Sequence, residues 1–278
     1  MKKSRLVSVV IPARNAGRTL ESTLRSVLSQ DVPLADVVVA DDFSSDDTPN
    51  IVLDFYPKVK LVRTCRRSGP DAARRLGFEN CRGKFVTFVD ADDRLAPHAL
   101  RKALEAMDDD TDVVFMRVVR FISLLPFVDI RGYIPDPAKV MESSLYGKPG
   151  CPPSVWGKLF RREVLEPWPA IGYDGWWGED RLWILELFKN SLRAKVCEGA
   201  VYRYRLGGAG SDARRSRRGT EFRRVARLKH EFADRNAAFS YAHPLIDREL
   251  EALLAYRNSV LNPDVTARLK NMIINYRR

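Results

Sequence analysis

Apolar positions change their period several times between Leu6 and Phe121, and each change marks an element. Leu6 to Ile11 reads as a strand that ends at the turn Pro12-Ala13-Arg14-Asn15-Ala16-Gly17. Leu20, Leu24, Val27 and Leu28 then fall on one helical face. Val37-Val38-Val39-Ala40 is a fully apolar second strand, and Val59-Lys60-Leu61-Val62 is a third. Between them, Ser44 or Ser45 is placed to cap a helix whose first turn holds Asp46 and Asp47. Ser68-Gly69-Pro70-Asp71 has the form of a capping box opening a helix to about Asn80. Lys84 to Val89 is a fourth strand, Pro97 opens a helix, and Asp112 to Phe121 is a fifth strand. Strands alternating with helices predict an α/β fold built on a βαβ sheet.

This order places chemistry at one edge of the sheet. The second strand ends in Asp41-Asp42, and the fourth runs into Val89-Asp90-Ala91-Asp92-Asp93. Ligands of open α/β sheets bind at the carboxyl ends of the strands. Three carboxylates in four positions repel one another, and each costs on the order of several kcal/mol to bury unpaired. A divalent cation carried by a diphosphate resolves both problems, because hard oxygen donors suit magnesium or manganese. The plainer reading is a solvated acidic turn.

From Phe121 to Lys148 the pattern weakens at Pro126, Pro135 and Pro137, with room for a short helix from Ala138 to Tyr146. All five tryptophans follow, Trp156, Trp168, Trp176, Trp177 and Trp183. They are either packing residues, since Trp buries a large area, or a wall of flat faces for sugar rings. Helical spacing returns after Gly178-Glu179-Asp180, at Trp183 and Leu187 with Ile184 and Phe188. Beyond Gly207, the residues Phe222, Val225, Ala226 and Phe232 form a narrow apolar stripe among Arg223, Arg224, Arg227 and Lys229. Val265, Leu269, Met272, Ile273 and Tyr276 outline a last amphipathic helix.

Composition then narrows the function. With 45% apolar and 30% charged residues among 278, the chain is that of a globular protein. No run approaches a bilayer span, and the N-terminal apolar stretch is too short for a signal peptide. Four scattered cysteines without a CxxC pair argue against a zinc site and suit reduced thiols. A cytoplasmic protein is the expectation. His98, His230 and His243 show no HExxH or triad spacing, so each reads as a surface or packing residue. The net charge of +11 sits mainly in the tail, where residues 203–278 carry 17 basic against 8 acidic side chains.

The ordered set of motifs resembles the family 2 glycosyltransferases, which are inverting, use nucleotide sugars and adopt the GT-A fold, an α/β Rossmann-like mixed sheet with helices on both faces. The resemblance covers about residues 5–205. It rests on Val7 to Asn15, Ser26 to Gln30, Asp41 to Thr48, Ala73-Arg74-Arg75-Leu76-Gly77, Phe88 to Asp93, Trp156 to Phe160 and Gly178-Glu179-Asp180. It implies a catalytic domain over 1–205, with a donor half (1–120) and an acceptor half (121–205), followed by a basic helical region over 206–278. On the donor side, Pro12, Ala13 and Arg14 would offer groups to the nucleotide, Asp42 would accept the uracil imide hydrogen, and Arg74 would counter phosphate charge. Asp90 would meet the ribose or the metal's water, beside Ala91, and Asp92 would hold the manganese or magnesium ion. On the acceptor side, Asp180 would be the base, with Glu179 as neighbour or reserve, and Trp156, Lys158, Trp176 and Trp177 would line the site. Arg14 stands where an aromatic is common, Phe43 where Gly is common and Arg75 where Asn is common.

The implied activity is transfer of one sugar from a nucleotide diphosphate, a UDP-sugar first, to a glycan or lipid-linked hydroxyl in bacterial surface polysaccharide or glycoconjugate synthesis. The absence of Gln-x-x-Arg-Trp and of membrane spans speaks against a polymer-extruding synthase. A nucleotidyltransferase would want a glycine-rich basic loop after the first strand, where only Gly17 occurs. A nucleic-acid-binding protein is the non-enzymatic alternative, but the tail's aromatics lie on its apolar stripe and are not interleaved for base stacking. Peripheral attachment of the basic tail to the anionic inner face of the cell membrane fits better, beside the plain alternative of a solvated helix face.

Overall fold

The first strand, β1 (Val7–Ala13), is buried along nearly its whole length because both of its faces are covered. In this computed structural model residues 7–121, 132–175, 178–190, 192–206 and 218–261 are described. They fall into two compact units, one of residues 1–144 with 148–213 and one of residues 145–147 with 214–278.

The first unit is built on one mixed sheet of nine strands. Its path runs β3 (Lys60–Arg63), β2 (Leu34–Asp41), β1, β4 (Phe85–Phe88), β8 (Lys158–Arg161), β6 (Val113–Phe121), β9 (Ala194–Arg205) and β5 (Arg94–Leu95), and β7 (Gly132–Tyr133) pairs with β6. Strands β3, β2, β1 and β4 are mutually parallel. Strand β8 runs antiparallel to both β4 and β6. The chain moves outward from β1 to β2 and β3, then returns to the other side of β1 as β4. The carboxyl ends of β1 and β4 therefore flank a topological switch point, the place where open sheets of this kind bind ligands.

Alternation along β1 decides what each face covers. Val7, Val9 and Ile11 join one core with Leu20, Leu24 and Val27 of α1 (Leu20–Leu28) and Leu100, Ala103 and Leu104 of α4 (Ala99–Ala106). Val10 points the other way, against Gly77 of α3 (Pro70–Glu79). On that second face Phe88, which pairs in register with Val10, meets Trp168 and Trp183 edge-on at ring separations of 5.9 and 6.1 Å. Trp183 belongs to α6 (Glu179–Phe188), whose Leu182, Trp183, Ile184, Leu185, Leu187 and Phe188 are all buried. The helices thus cover both faces.

Two expected caps are replaced. Helix α2 starts only at Thr48 (Thr48–Leu53), because Asp46 accepts the Thr48 amide and hydroxyl while the Ser44 hydroxyl accepts the Asn15 amide. The Ser68 box does not form either: Gly69, at φ +92°, occupies the cap and no side chain caps α3. The expected short helix appears as a 3-10 turn at Pro137–Lys139 followed by α5 (Val140–Tyr146). Strand β9 escaped the periodicity because its register against β6 shifts between Cys197 and Val201, which breaks the alternation.

The second unit holds α7 (Arg218–Arg235), a 3-10 turn at Ala237–Ala242 and α8 (His243–Leu261). Phe222, Val225, Ala226 and Phe232 are buried as their stripe requires, and Arg223, Arg224 and Arg227 are exposed. Lys229 is not on the solvated basic face: it is buried and paired with Glu249 of α8. The helix expected over Val265 to Tyr276 lies outside the described residues.

The α3–β1 contact requires a residue without a side chain. A Cβ added at Gly77 would lie 2.4 Å from Val10 Cγ1. Gly77→Ala should therefore lower unfolding stability by about 1–3 kcal/mol, the usual range for overpacking. A urea midpoint equal to that of the parent protein would contradict this packing.

Candidate active site

The carboxyl ends of β1, β2 and β4 open onto a cleft of about 650 Å³. Pro12, Ala13, Arg14, Asp42, Arg74, Asp90, Ala91, Asp92 and Glu179 all line it, and so do Arg18 and Arg67. Residues far apart in sequence meet here because β1, β2 and β4 are neighbours in the sheet.

Arg74 lies at the centre of the polar network. Its position on the inner side of α3 leaves only 5% of the side chain exposed. Nη2 lies 3.5 Å from Asp90 Oδ1, and Nη1 lies 3.2 Å from Glu179 Oε1 and 2.7 Å from Asp180 Oδ1. The Asp180 contact is an ion pair not aligned as a hydrogen bond, and among the described residues neither Asp180 Oδ1 nor Arg74 Nε has a hydrogen-bond partner. Burial pushes the guanidinium pKa down, but the charges of Asp180, Asp90 and Glu179 outweigh it and hold Arg74 above its ordinary value.

One cation cannot neutralise three acids, and two of them are held above the ordinary carboxylate range. Burial raises Glu179 to about 8, with Asp180 adding to the rise and Arg74 opposing it. Burial likewise raises Asp90 to about 7 against the pull of Arg74, with Asp180 and Asp92 pushing the same way. Carboxyl groups held near neutrality in a cleft mark a candidate site with a stated physical cause.

The acid loop is strapped down by residues the sequence did not single out. Asp93 is fully buried, with its carboxyl 2.6 Å from the Tyr202 hydroxyl and accepting the Arg205 amide at 2.7 Å. The Asp90 amide donates to the same Tyr202 oxygen at 3.2 Å. The Thr23 hydroxyl lies 3.0 and 2.8 Å from the carbonyls of Ala91 and Asp93. Asp93 therefore supports the loop and does not face the cleft. Tyr202 and Arg205 come from β9, whose broken alternation concealed them; the pattern Tyr202-Arg203-Tyr204-Arg205 was their one local signal.

Asp42 has work of its own. Its carboxylate accepts the amides of Ser68 at 2.6 Å and Gly69 at 3.0 Å and lies 3.2 Å from the Thr64 hydroxyl. It fixes the loop before α3 and keeps unused acceptor capacity on Oδ2, the oxygen bound only by Gly69. Arg14 donates to the carbonyls of Asp42 at 2.6 Å and Phe43 at 2.9 Å, joining the first and second loops. Phe43 has φ +57°, which explains why glycine is common there; an ordinary residue bears roughly 1–2 kcal/mol of strain in that region. Arg63 covers the Phe43 ring at 5.2 Å and pairs with the buried Asp41 at 2.9 Å.

The acceptor expectations fare differently. Lys158 is corrected: it is 1% exposed, its ammonium donates to the Ser154 carbonyl at 2.5 Å, and it sits over the Phe115 ring. Its place on β8 points the side chain into the interior, and burial lowers its pKa to about 8. Trp156 stacks on Tyr202 and Tyr204 at 4.9 and 5.0 Å, which ties it to the strap beneath the acid loop. Trp176 and Trp177 lie outside the described residues.

Among the described residues no group of three or more His, Cys, Asp or Glu side chains is arranged to hold a metal ion. Asp90 and Asp92 on one cleft wall offer two hard oxygen ligands. Magnesium-class ions take one or two carboxylates and complete their shell with substrate phosphates and water. The residues fit an ion that arrives with a diphosphate.

Residues 8–167, more than half of the chain, match the family described as Glycosyl transferase family 2. An uncharacterized glycosyltransferase of Escherichia coli (strain K12), YibD, is 27% identical over 294 residues, covering 96% of this chain and 83% of the relative. The E. coli UDP-Glc:alpha-D-GlcNAc-diphosphoundecaprenol beta-1,3-glucosyltransferase WfgD is 27% identical over 204 residues, 72% of this chain and 77% of its own. Further curated relatives match over 105 to 117 residues, 33 to 42% of their length. Among solved structures, residues 1–349 of S. aureus TarS in complex with UDP-GlcNAc superimpose with a TM-score of 0.68 at 23% identity, over 88% of this chain and 71% of that one. That likeness identifies the fold.

Glu179 makes stability pH-dependent in the cation-free protein. Its folded pKa of about 8 lies above the ordinary 4.5, so the folded state holds the extra proton. Its contribution is complete below pH 4.5 and is lost as pH rises through about 8. Glu179→Gln should flatten the decline in urea midpoint between pH 5 and 9, by up to roughly a few kcal/mol. Equal slopes for variant and parent would refute the assignment.

Proposed function

The chain belongs to glycosyl transferase family 2, and we propose that it transfers one sugar from a UDP-linked donor to the hydroxyl of a glycan acceptor with inversion. The observation that carries this reading is the Arg74 network at the β1/β4 switch point, which joins the donor-side Asp90 to Glu179 and Asp180. The WfgD relative, which uses UDP-Glc and a diphosphoundecaprenol-linked acceptor, supports a UDP donor and a lipid-linked glycan acceptor.

Each residue then has a task. Backbone groups of Pro12, Ala13 and Arg14 and the spare lone pairs of Asp42 receive the nucleoside. Asp90 and Asp92 would hold a manganese or magnesium ion on the diphosphate, whose positive charge stabilises the departing nucleoside diphosphate. Arg74 fixes the acids and keeps an unspent Nε–H in the buried wall. Asp180 takes the proton from the acceptor hydroxyl as that oxygen attacks the anomeric carbon opposite the diphosphate. The new C–O bond forms as the sugar–diphosphate bond breaks, which inverts the centre. Asp180 suits the task better than Glu179 because Glu179 retains its proton near neutral pH, and the Asp180 side chain is 20% exposed against 10% for Glu179. Glu179 serves as its buried neighbour and holds Arg74 in place.

No described helix is long and apolar enough to cross a membrane. A lipid-linked acceptor nevertheless requires contact with a bilayer surface, and the exposed Arg223, Arg224 and Arg227 on α7 are suited to the anionic inner face of the membrane. Each basic residue near such a surface contributes about 1 kcal/mol.

Asp180→Asn should reduce transfer about 10²–10⁴-fold while UDP-sugar binding, read by thermal shift with manganese, stays near the parent value. Asp92→Asn should instead remove the manganese-dependent part of that binding. Near-normal transfer by Asp180→Asn would reject it as the base, and donor binding indifferent to both EDTA and Asp92→Asn would reject the ion. Replacing Arg223, Arg224 and Arg227 together by alanine should weaken binding to phosphatidylserine liposomes about 100-fold at low salt. Unchanged, salt-insensitive binding would count against membrane docking.

A further inference from the structure

We propose that His230 and His243 form a binding site for one divalent transition-metal ion of the zinc or nickel class. The two residues carry no sequence motif, yet α7 and the start of α8 bring their rings together. The rings are nearly coplanar, at 6°, with centroids 4.9 Å apart and Nδ1 atoms 2.6 Å apart. Those values describe two imidazoles meeting head to head.

A carboxylate on the far side of each ring fixes its tautomer. His230 Nε2 lies 3.0 Å from Asp247 and His243 Nε2 lies 3.1 Å from Asp234. A carboxylate only accepts, so both Nε2 atoms carry their hydrogen. A neutral imidazole has a single N–H, and both Nδ1 atoms therefore direct lone pairs at each other. Two lone pairs at 2.6 Å require a cation between them.

A shared proton satisfies this as the rings stand, and a metal ion satisfies it after a small adjustment. Metal–nitrogen bonds of 2.0–2.1 Å at a tetrahedral angle set two ligand nitrogens about 3.3 Å apart. The rings need to part by roughly 0.7 Å, a side-chain rotation on that same geometry. A carboxylate behind each imidazole is the arrangement that orients ligating histidines and raises their basicity. The histidine side chains are 27% and 33% exposed, so solvent reaches the pair. No third protein ligand stands by among the described residues, and water completes the shell. The nearby charges are already paired, Lys229 with Glu249 and Arg227 with Glu231, leaving Asp234 and Asp247 to balance the ion. Binding is an exchange without redox chemistry: the bridging proton leaves to buffer and the ion takes its place.

The full chain carrying Asp92→Asn, which silences the donor-side ion, is stripped with chelator and titrated with zinc or nickel chloride by calorimetry. Cobalt absorption reports the geometry. The expected result is one site with release of about one proton, weakened at least tenfold in either His230→Ala or His243→Ala. Asp247→Asn and Asp234→Asn, which keep both rings, should each weaken it about 10–100-fold. Binding absent from the Asp92→Asn protein overturns the proposal and leaves a proton-sharing pair. So does binding of undiminished strength in the histidine variants, or in both aspartate variants if the histidine variants do not fold.

Discussion

One buried guanidinium sets the geometry of the cleft. Arg74 is held among Asp90, Glu179 and Asp180, which come from the loop after β4 and the first turn of α6. Removing one partner from such a group costs about 3–5 kcal/mol, because the remaining charges stay buried without compensation. The network therefore couples two halves of the first unit that share little sequence proximity. It also leaves the site short of positive charge. Burial raises Glu179 and Asp90, and the neighbouring acids add to the rise against the pull of Arg74.

The acids can crowd because the backbone beneath them is fixed from elsewhere. Tyr202 joins the Asp90 amide to the Asp93 carboxyl, and Trp156 stacks against Tyr202 from the other strand-end segment. On the opposite sheet face, Phe88, Phe160, Trp168 and Trp183 form an aromatic block behind β4. Trp168 also donates to Asp71 on α3 at 3.2 Å, so the block braces the helix that carries Arg74. Two of the five tryptophans are therefore packing residues, and a third supports the acid loop.

The second unit follows a different logic. Its apolar stripe buries Phe222, Val225 and Phe232, while its arginines divide between solvent and ion pairs. The buried Lys229–Glu249 pair and the joined histidines are polar contacts inside a small helical unit. Local spacing could not reveal them, because each pair spans the turn between α7 and α8.

Much was legible in the chain alone. Period-two and period-3.6 patterns located β1 to β4, β6, α1, α3 and α6 to within a few residues, because buried strands and amphipathic helices impose those periods directly. Acidic residues at the ends of the second and fourth strands pointed to one sheet edge, and the cleft is there. Tertiary structure alone decided the rest. Pairing Arg74 with acids up to about a hundred residues away, burying Lys158 over the Phe115 ring, and setting Tyr202 against Asp93 all depend on which strands become neighbours. Strand order is a property of the whole sheet, fixed by long-range burial, and no local period encodes it.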